Sequence, residues 1–117
     1  MELTKRKVGD ILIVSFSEIG PLESSNVEPF REMMANLIEK TSNLLIDIGK
    51  VTFLDSSGLG ALVAIWKSVS SKNGKLKLCR IDPSVRTVFE VTRINRILEI
   101  YDTEEEALAS YQTGSDR

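Results

Sequence analysis

Residues 55–60 bring together, in one short segment, side chains that could do chemistry. They are Asp-Ser-Ser-Gly-Leu-Gly and follow an apolar stretch, Val51 to Leu54. After them, apolar residues recur at helical spacing: Leu59, Leu62, Val63, Trp66 and Val69. A joint between a buried strand and an amphipathic helix can cap the helix, hold a nucleophilic serine, bind a phosphate or accept a phosphoryl group. Each possibility requires different residues around it.

Helix capping explains only part of this segment. Asp and Ser are preferred at helix N-caps, but a cap uses one side chain, and Asp55, Ser56 and Ser57 supply three. Gly58 and Gly60 each cost about 1 kcal/mol relative to alanine inside a helix. Two glycines in one turn therefore favour close approach by another molecule, although packing of the helix on the sheet would explain one of them equally well.

A catalytic serine at this joint would lack its usual base. The chain contains no histidine, and a serine hydroxyl is normally activated by one. A Ser–Lys pair stays formally possible, but the lysines lie on polar faces, where no apolar pocket would lower their pKa. The segment also differs from the Gly-x-Ser-x-Gly elbow of hydrolases. We therefore expect no enzyme activity and assign no catalytic residue.

Nucleotide and metal binding have little support in the sequence. No Lys-Ser/Thr pair follows the glycines and no third glycine completes a dinucleotide fingerprint. The charge of Asp55 would also repel a phosphate. Without histidines, and with a single cysteine, the chain lacks the usual ligands of a transition metal. We expect neither a cofactor nor a metal site.

The apolar pattern predicts strands and helices in the order β-β-α-β-α-β-α-β-α. Strands are predicted at 3–8, 10–16, 43–48, 75–80 and 98–101, and the first two form a hairpin. A loop, Ser17 to Ser25, precedes a helix for which Ser25 and Glu28 have the spacing of a capping box. The later helices begin at the joint, at Asp82-Pro83, and at Thr103 with Glu106.

Alternating strands and helices predict an α/β domain with a mostly parallel sheet. At 117 residues, 42% of them hydrophobic and 27% charged, the chain has the size and composition of one globular domain. We expect this domain to span residues 1–113 and residues 114–117 to form a frayed tail.

Charge and cysteine content limit the choice of partners and compartment. A formal net charge of -2 argues against nucleic-acid binding. The basic run Lys5-Arg6-Lys7 is interpreted as a solvated sheet edge that its charges keep from pairing with other chains, rather than as a phosphate-binding patch. No apolar run is long enough to span a bilayer, and the N-terminal residues do not resemble a secretory signal. The single cysteine, Cys79, is expected to be a small buried residue, which fits a reducing cytoplasm.

The stretch LDSSGLGALVAIWKSV resembles the signature of the STAS domain, most closely that of the bacterial anti-sigma factor antagonists similar to stage II sporulation protein AA. The resemblance covers most of the chain, from DILIVSF to DPSVRTVFEVTRINRIL. It implies the STAS fold, a mixed and mostly parallel sheet of four to five strands with about four helices. In this family the serine directly after the aspartate accepts a phosphoryl group, which implies that Ser56 is the phosphorylation site.

The resemblance also implies a partner switch. The unmodified domain would bind an anti-sigma factor that is itself a serine/threonine kinase of the GHKL type, and would so release a sigma factor. Phosphorylation of Ser56 would abolish binding, and a metal-dependent serine/threonine phosphatase would restore it; a monomer suffices for this switch. The residues around the phosphorylation site, Asp55, Ser57, Gly58, Leu59 and Gly60, are expected to contribute to partner binding, with Ser57 as the helix cap.

One segment departs from the family pattern. In Ser17-Glu18-Ile19-Gly20-Pro21-Leu22, Gly20 replaces the second acid, and the loop is longer than usual. Because the family's loop lies beside the phosphorylated serine, the change bears on the choice of partner. Two other functions remain open: a stand-alone STAS regulator with an output other than a sigma factor, such as biofilm formation or secretion, and a STAS subunit of a transport system.

Overall fold

Four helices and seven strands make up the part of the chain that the structure, a computed structural model, describes: residues 2–112. The tail expected at 114–117 lies outside the described residues. In chain order the segments are β1 (Leu3–Val8), β2 (Ile11–Phe16), β3 (Gly20–Leu22), α1 (Val27–Ile38), β4 (Asn43–Asp47), β5 (Val51–Leu54), α2 (Ser56–Ser70), β6 (Lys75–Cys79), α3 (Pro83–Thr92), a 3-10 turn (Ile94–Arg96), β7 (Glu99–Tyr101) and α4 (Glu104–Gln112).

The main sheet has five strands in the order β1-β2-β4-β6-β7. β1 and β2 pair antiparallel, and every other neighbouring pair is parallel. The hairpin turn contains Gly9 at φ +62°, a left-handed conformation that glycine adopts without strain. These features confirm the predicted hairpin and the predicted mixed, mostly parallel sheet.

A second sheet was not predicted. β3 and β5 pair in parallel as a separate two-stranded sheet, with Pro21 opposite Phe53 and Leu22 opposite Leu54. The prediction of an uninterrupted loop from Ser17 to Ser25 was therefore wrong at Gly20–Leu22. A strand of three residues that contains a proline is too short to show a period of two, and it forms here because β5 supplies a partner.

Two apolar layers cover the two faces of the main sheet. The larger core lies between the sheet and helices α1, α2 and α3, which contribute the fully buried Phe30, Leu62 and Phe89 respectively. A smaller core on the opposite face contains Ile13 of β2 and Ala107 of α4. Successive side chains of β2 and β4 alternate between these two layers, as expected for a sheet covered on both faces.

Side-chain capping was predicted correctly for α3 and α4 and wrongly for α1; the cap of α2 is described below with the joint. The Asp82 carboxylate accepts from the Ser84 N–H at 2.9 Å to start α3, and Thr103 Oγ1 accepts from the Glu106 N–H at 3.1 Å to start α4. The capping box at Ser25 was wrong, because α1 has Asn26 at its N-cap and makes no side-chain cap hydrogen bond there. The Ser25 hydroxyl instead donates to the Glu23 carboxylate at 3.1 Å.

The basic run and the cysteine both lie in the main sheet. Lys5 to Lys7 belong to the exposed edge strand β1, which confirms the interpretation as a solvated edge. Cys79 is fully buried in the smaller core, and burial raises the pKa of its thiol to about 12. The cysteine is therefore a small core residue, as predicted.

Candidate functional site

Ser56 is the first residue of α2 and is exposed. It follows β5 through a single connecting residue, Asp55, whose extended backbone (φ -99°, ψ -174°) turns the chain into the helix. Within residues 2–112 the Ser56 hydroxyl has no hydrogen-bond partner. The predicted phosphorylation site thus carries an accessible hydroxyl at a helix N-terminus, where unpaired N–H groups and the helix dipole favour negative charge.

Asp55 is the N-cap of α2 and has a structural function. Its Oδ1 accepts from the Ser57 hydroxyl at 2.6 Å and from the Gly58 N–H at 2.9 Å. Its Oδ2 accepts from the Ser24 N–H at 2.9 Å, which ties the segment before α1 to the start of α2. The Ser57 hydroxyl, followed by the Gly58 and Ser24 amides, lowers the pKa of Asp55 to about 2, so the carboxylate beside Ser56 is ionised at neutral pH.

The predicted capping role of Ser57 was wrong. Its hydroxyl donates to Asp55 rather than accepting from a helix N–H, and the carboxylate two residues earlier takes the cap position. A carboxylate has two acceptor oxygens and can bind several donors at once. Ser57 therefore supports the cap and leaves the neighbouring Ser56 as the unengaged hydroxyl of the pair.

The two glycines of the joint have different surroundings. A Cβ on Gly58 would clash with the backbone carbonyl of Leu22 and would lie 3.1 Å from Leu54 Cδ2, so this glycine lets α2 pack on β3. A Cβ on Gly60 would meet nothing within 4 Å, and Gly60 is exposed. Close packing inside the chain accounts for Gly58, whereas approach of another molecule stays a prediction for Gly60. Leu59, between them, is half-buried and packs against the larger core.

An exposed apolar surface lies next to the joint and was missed from the sequence. Ile19 and Phe53 are 73% and 51% exposed, and Pro21, which is also exposed, lies opposite Phe53 in the β3–β5 pair. We call Ile19, Pro21 and Phe53 the outer patch. The sequence did not indicate this patch, because Phe53 lies in an apolar stretch that was interpreted as a buried strand. In the structure the middle two of the four residues of β5, Thr52 and Phe53, are exposed.

A cleft of about 650 Å³ lies at the carboxyl ends of the main-sheet strands and does not include Ser56. Ligands of α/β proteins often bind at this edge. Its charged groups are engaged with one another or with neighbouring elements: Arg80 Nε donates to Asp47 at 3.0 Å, and Arg86 pairs with Asp102 at 3.3 Å. The cleft therefore adds no support for a phosphate cradle.

Residues 2–112 contain no group of three or more His, Cys, Asp or Glu side chains that is arranged to hold a metal ion. None of the helices described in this range combines the length and the apolar character needed to cross a bilayer.

Comparison with known proteins identifies the family. The STAS domain model matches residues 2–107. A protein of Bordetella bronchiseptica that bears the name "putative anti-sigma factor antagonist BtrV" is 29% identical over 118 residues, which cover 100% of both chains. The anti-sigma F factor antagonist of Paenibacillus polymyxa is 28% identical over 107 residues, 90% of each chain.

Two solved structures with the same fold are the anti-sigma factor antagonist SpoIIAA in its unphosphorylated form and the Bacillus cell fate determinant SpoIIAA in its phosphorylated form. Its unphosphorylated form superposes with a TM-score of 0.71 at 22% identity and covers 96% of this chain and 99% of its own. Its phosphorylated form superposes with a TM-score of 0.70 at 21% identity, over 94% and 99% of the two chains. At these identities the likeness concerns the fold, and it agrees with the family match. This chain therefore belongs to the STAS domain family, among relatives that include anti-sigma factor antagonists.

Proposed function

We propose that this protein is a phosphorylatable anti-sigma factor antagonist that has no enzyme activity of its own. In its unmodified form it binds an anti-sigma factor, a serine/threonine kinase of the GHKL type, and a sigma factor is released. Phosphorylation of Ser56 abolishes this binding, and a metal-dependent serine/threonine phosphatase restores it. The relatives named as antagonists support the general function, and the joint supports Ser56 as the residue that carries the switch.

The accessible hydroxyl of Ser56 is the observation that carries the proposal. It projects from the first residue of α2 and makes no hydrogen bond within the described residues, so a phosphoryl group could be added without the loss of a native hydrogen bond. A phosphoserine adds a charge of about -1.5 to -2 near pH 7. The helix N-terminus would stabilise this charge by about 0.3–1 kcal/mol.

Asp55 makes the added charge unfavourable in an interface. In the free protein, water and salt screen the repulsion between the phosphate and the ionised Asp55, because Ser56 is exposed. A partner that covers Ser56 would remove that screening and would also desolvate the phosphate. Phosphorylation is therefore expected to weaken binding strongly and to change the fold little. The shared fold of SpoIIAA in its two phosphorylation states is consistent with this expectation.

The outer patch supplies an apolar surface for the same partner. Ile19, Pro21 and Phe53 expose apolar area beside the phosphorylation site. Contiguous exposed apolar surface with a polar rim is typical of protein interaction sites. The patch also contains the residues next to Gly20, where the chain departs from its family's usual acidic loop, so it is suited to determine which anti-sigma factor binds.

The experiment is a comparison of Ser56→Ala, Ser56→Asp and a matched control, Ser68→Asp. Ser68 is exposed on the same helix, about 18 Å farther along its axis. Each tagged variant is expressed in the native cells, captured proteins are identified by mass spectrometry, and wild-type phosphopeptides are measured in several growth states. We expect phosphate on Ser56 that varies with growth, and an anti-sigma factor captured by wild type, Ser56→Ala and Ser68→Asp but not by Ser56→Asp.

The far-UV spectrum and melting temperature of Ser56→Asp are measured alongside and should match those of wild type. Equal capture by Ser56→Asp and wild type, or an unfolded Ser56→Asp, would contradict the proposed switch. Capture of a kinase that is never associated with a sigma factor would retain the phosphorylation switch but assign it to a different output.

A further inference from the structure

β1 leaves one row of its backbone groups unpaired. The Ser17 N–H donates to the Glu2 carbonyl at 3.1 Å. Glu2 and Ser17, which lie just before β1 and just after β2, therefore form a hydrogen-bonded pair of the antiparallel ladder. Hydrogen-bonded and non-hydrogen-bonded pairs alternate along an antiparallel ladder. The N–H and C=O groups that face away from β2 therefore belong to every second residue: Leu3, Lys5 and Lys7. Since β1 is the edge of the main sheet, these groups face open space.

The side chains of Lys5 and Lys7 extend over the face of the sheet that α1 covers. Lys5 pairs with Val14 and Lys7 with Leu12, and both partners belong to the larger core. A groove of about 530 Å³ runs between this part of β1 and the end of α1, with Leu12, Leu37 and Lys40 among its lining residues. We call this the edge groove. It combines an apolar floor with lysines at its rim.

The charge of the edge groove is positive and is not neutralised by the chain itself. Lys5, Lys7 and Lys40 are exposed and form no ion pair within residues 2–112. Arg6 extends over the opposite face, where it pairs with Glu104. This local positive surface stands out in a chain whose formal net charge is -2. A ligand that fits it carries negative charge and some apolar surface.

We propose that the edge groove and the β1 edge bind an acidic, extended segment of a partner protein, which adds as a sixth strand to the main sheet. Strand addition uses backbone hydrogen bonds for affinity and alternate side chains for specificity. Acidic side chains on the α1 face of the added strand would meet Lys5 and Lys7, and the methylene groups of the same side chains would lie over Leu12 and Leu37. This binding surface is separate from Ser56 and goes beyond the proposed switch.

A second copy of the chain does not fit the same edge. If two β1 strands paired, the lysines of one would face those of the other, and like charges on neighbouring strands are destabilising. The phosphates of a membrane or a nucleic acid would engage the lysines but would leave the peptide groups of Leu3, Lys5 and Lys7 unpaired. Charge and backbone together therefore favour an acidic polypeptide.

The test is a titration of the full chain, labelled with nitrogen-15, with an end-blocked heptapeptide that alternates glutamate and valine. Amide signals of Leu3, Lys5 and Lys7 should shift, and Lys5→Glu/Lys7→Glu should weaken binding at least tenfold at low salt. Arg31→Glu/Lys67→Glu is the matched control, since both residues are exposed on helices and the charge change is the same. This control should bind as wild type does, and so should Ser56→Asp.

Three results would overturn the proposal. The same peptide methylated on alternate backbone nitrogens should lose binding if the peptide adds as a strand, so unchanged affinity would exclude strand addition. Equal binding of a glutamine–valine peptide would exclude a charge-selective site. Binding of phosphatidylserine vesicles through Lys5 and Lys7, with no shift caused by the acidic peptide, would assign the surface to membranes. None of these results would affect the proposed switch, which is tested at Ser56.

Discussion

At the residue scale, the Asp55 carboxylate joins the start of α2 to the segment that precedes α1. It accepts from Ser57, Gly58 and Ser24, and these bonds hold its pKa near 2. Because the pKa in the folded chain is lower than the ordinary value of 3.8, the ionised form stabilises the fold at any pH above 3.8. That contribution is lost as the pH falls from 3.8 towards about 2.

Replacement of Asp55 by asparagine should expose this pH dependence. Asp55→Asn keeps an acceptor oxygen but cannot ionise, so it should melt several degrees below wild type at pH 7. The difference should shrink as the pH falls from 3.8 to about 2, where wild type loses the same charge. Melting temperatures at pH 7, 4, 3 and 2 measure it. Glu18→Gln, at an exposed residue with no described hydrogen bond, is the control and should follow wild type. If the melting temperatures of Asp55→Asn and wild type differ by the same amount at every pH, the charge of Asp55 is not involved.

The residue that caps α2 is not evident from the local sequence. An Asp-Ser-Ser run at a helix start predicts a cap, and it does not show which of the three side chains provides it. Asp55 caps the helix through its Oδ1, and its Oδ2 also binds the Ser24 amide, which comes from a segment 31 residues away. The sequence identified the exposed serine, through its place in a known motif, but not the residue that holds the turn.

At the scale of secondary-structure elements, the contact between α2 and β3 positions the joint. Gly58→Ala should destabilise the fold by about 1–3 kcal/mol, because the new methyl group would meet the rigid Leu22 carbonyl. Gly60→Ala is the matched variant two residues away, where the methyl group enters open space. It should stabilise the helix by about 0.5–1 kcal/mol.

Urea unfolding of both glycine variants tests this difference in sign. Equal effects of the two substitutions would mean that β3 does not limit the approach of α2. The Gly60→Ala variant has a second use, since a loss of partner binding by a more stable protein would support close approach of the partner at that position.

The outer patch allows a test of partner docking at the same scale. Phe53→Ser removes an exposed ring from β5 and should change the unfolding free energy by no more than about 0.5 kcal/mol. Its affinity for the captured anti-sigma factor should fall at least tenfold if the patch is part of the interface. Val91→Ser, at a residue that is 76% exposed on α3, is the control and should bind normally. Unchanged binding by Phe53→Ser, measured by calorimetry, would exclude Phe53 from the interface.

At the scale of the whole molecule, a buried lysine joins α4 to the main sheet. Lys77 is fully buried in β6. Its Nζ donates to Ser110 Oγ at 2.8 Å and lies 4.6 Å from the centre of the Tyr111 ring. Its aliphatic stem fills space beneath α4, and its ammonium group is also 3.4 Å from Glu99 Oε1. The second layer of the fold therefore depends on a residue that composition alone would place at the surface.

Two substitutions separate the packing of Lys77 from its charge. Lys77→Ala should lower the unfolding free energy by about 2–4 kcal/mol, because it leaves a cavity between α4 and the sheet. Lys77→Met keeps most of the volume and should cost less than about 1.5 kcal/mol. Denaturant unfolding measures both. A Met variant as unstable as the Ala variant would show that the ammonium contacts, rather than the packing of the stem, hold α4 in place.

The strands of the main sheet, the starts of α3 and α4, and the motif at residues 55–60 at the start of α2 were predictable from the sequence alone. Apolar periodicity and caps are local, so they can be recognised within a few residues. Contacts between distant segments decide that Asp55 also binds the Ser24 amide, that Gly58 faces Leu22, that Phe53 is exposed and that Lys77 is buried. Each of these depends on a segment distant in the chain, and no local pattern contains that information.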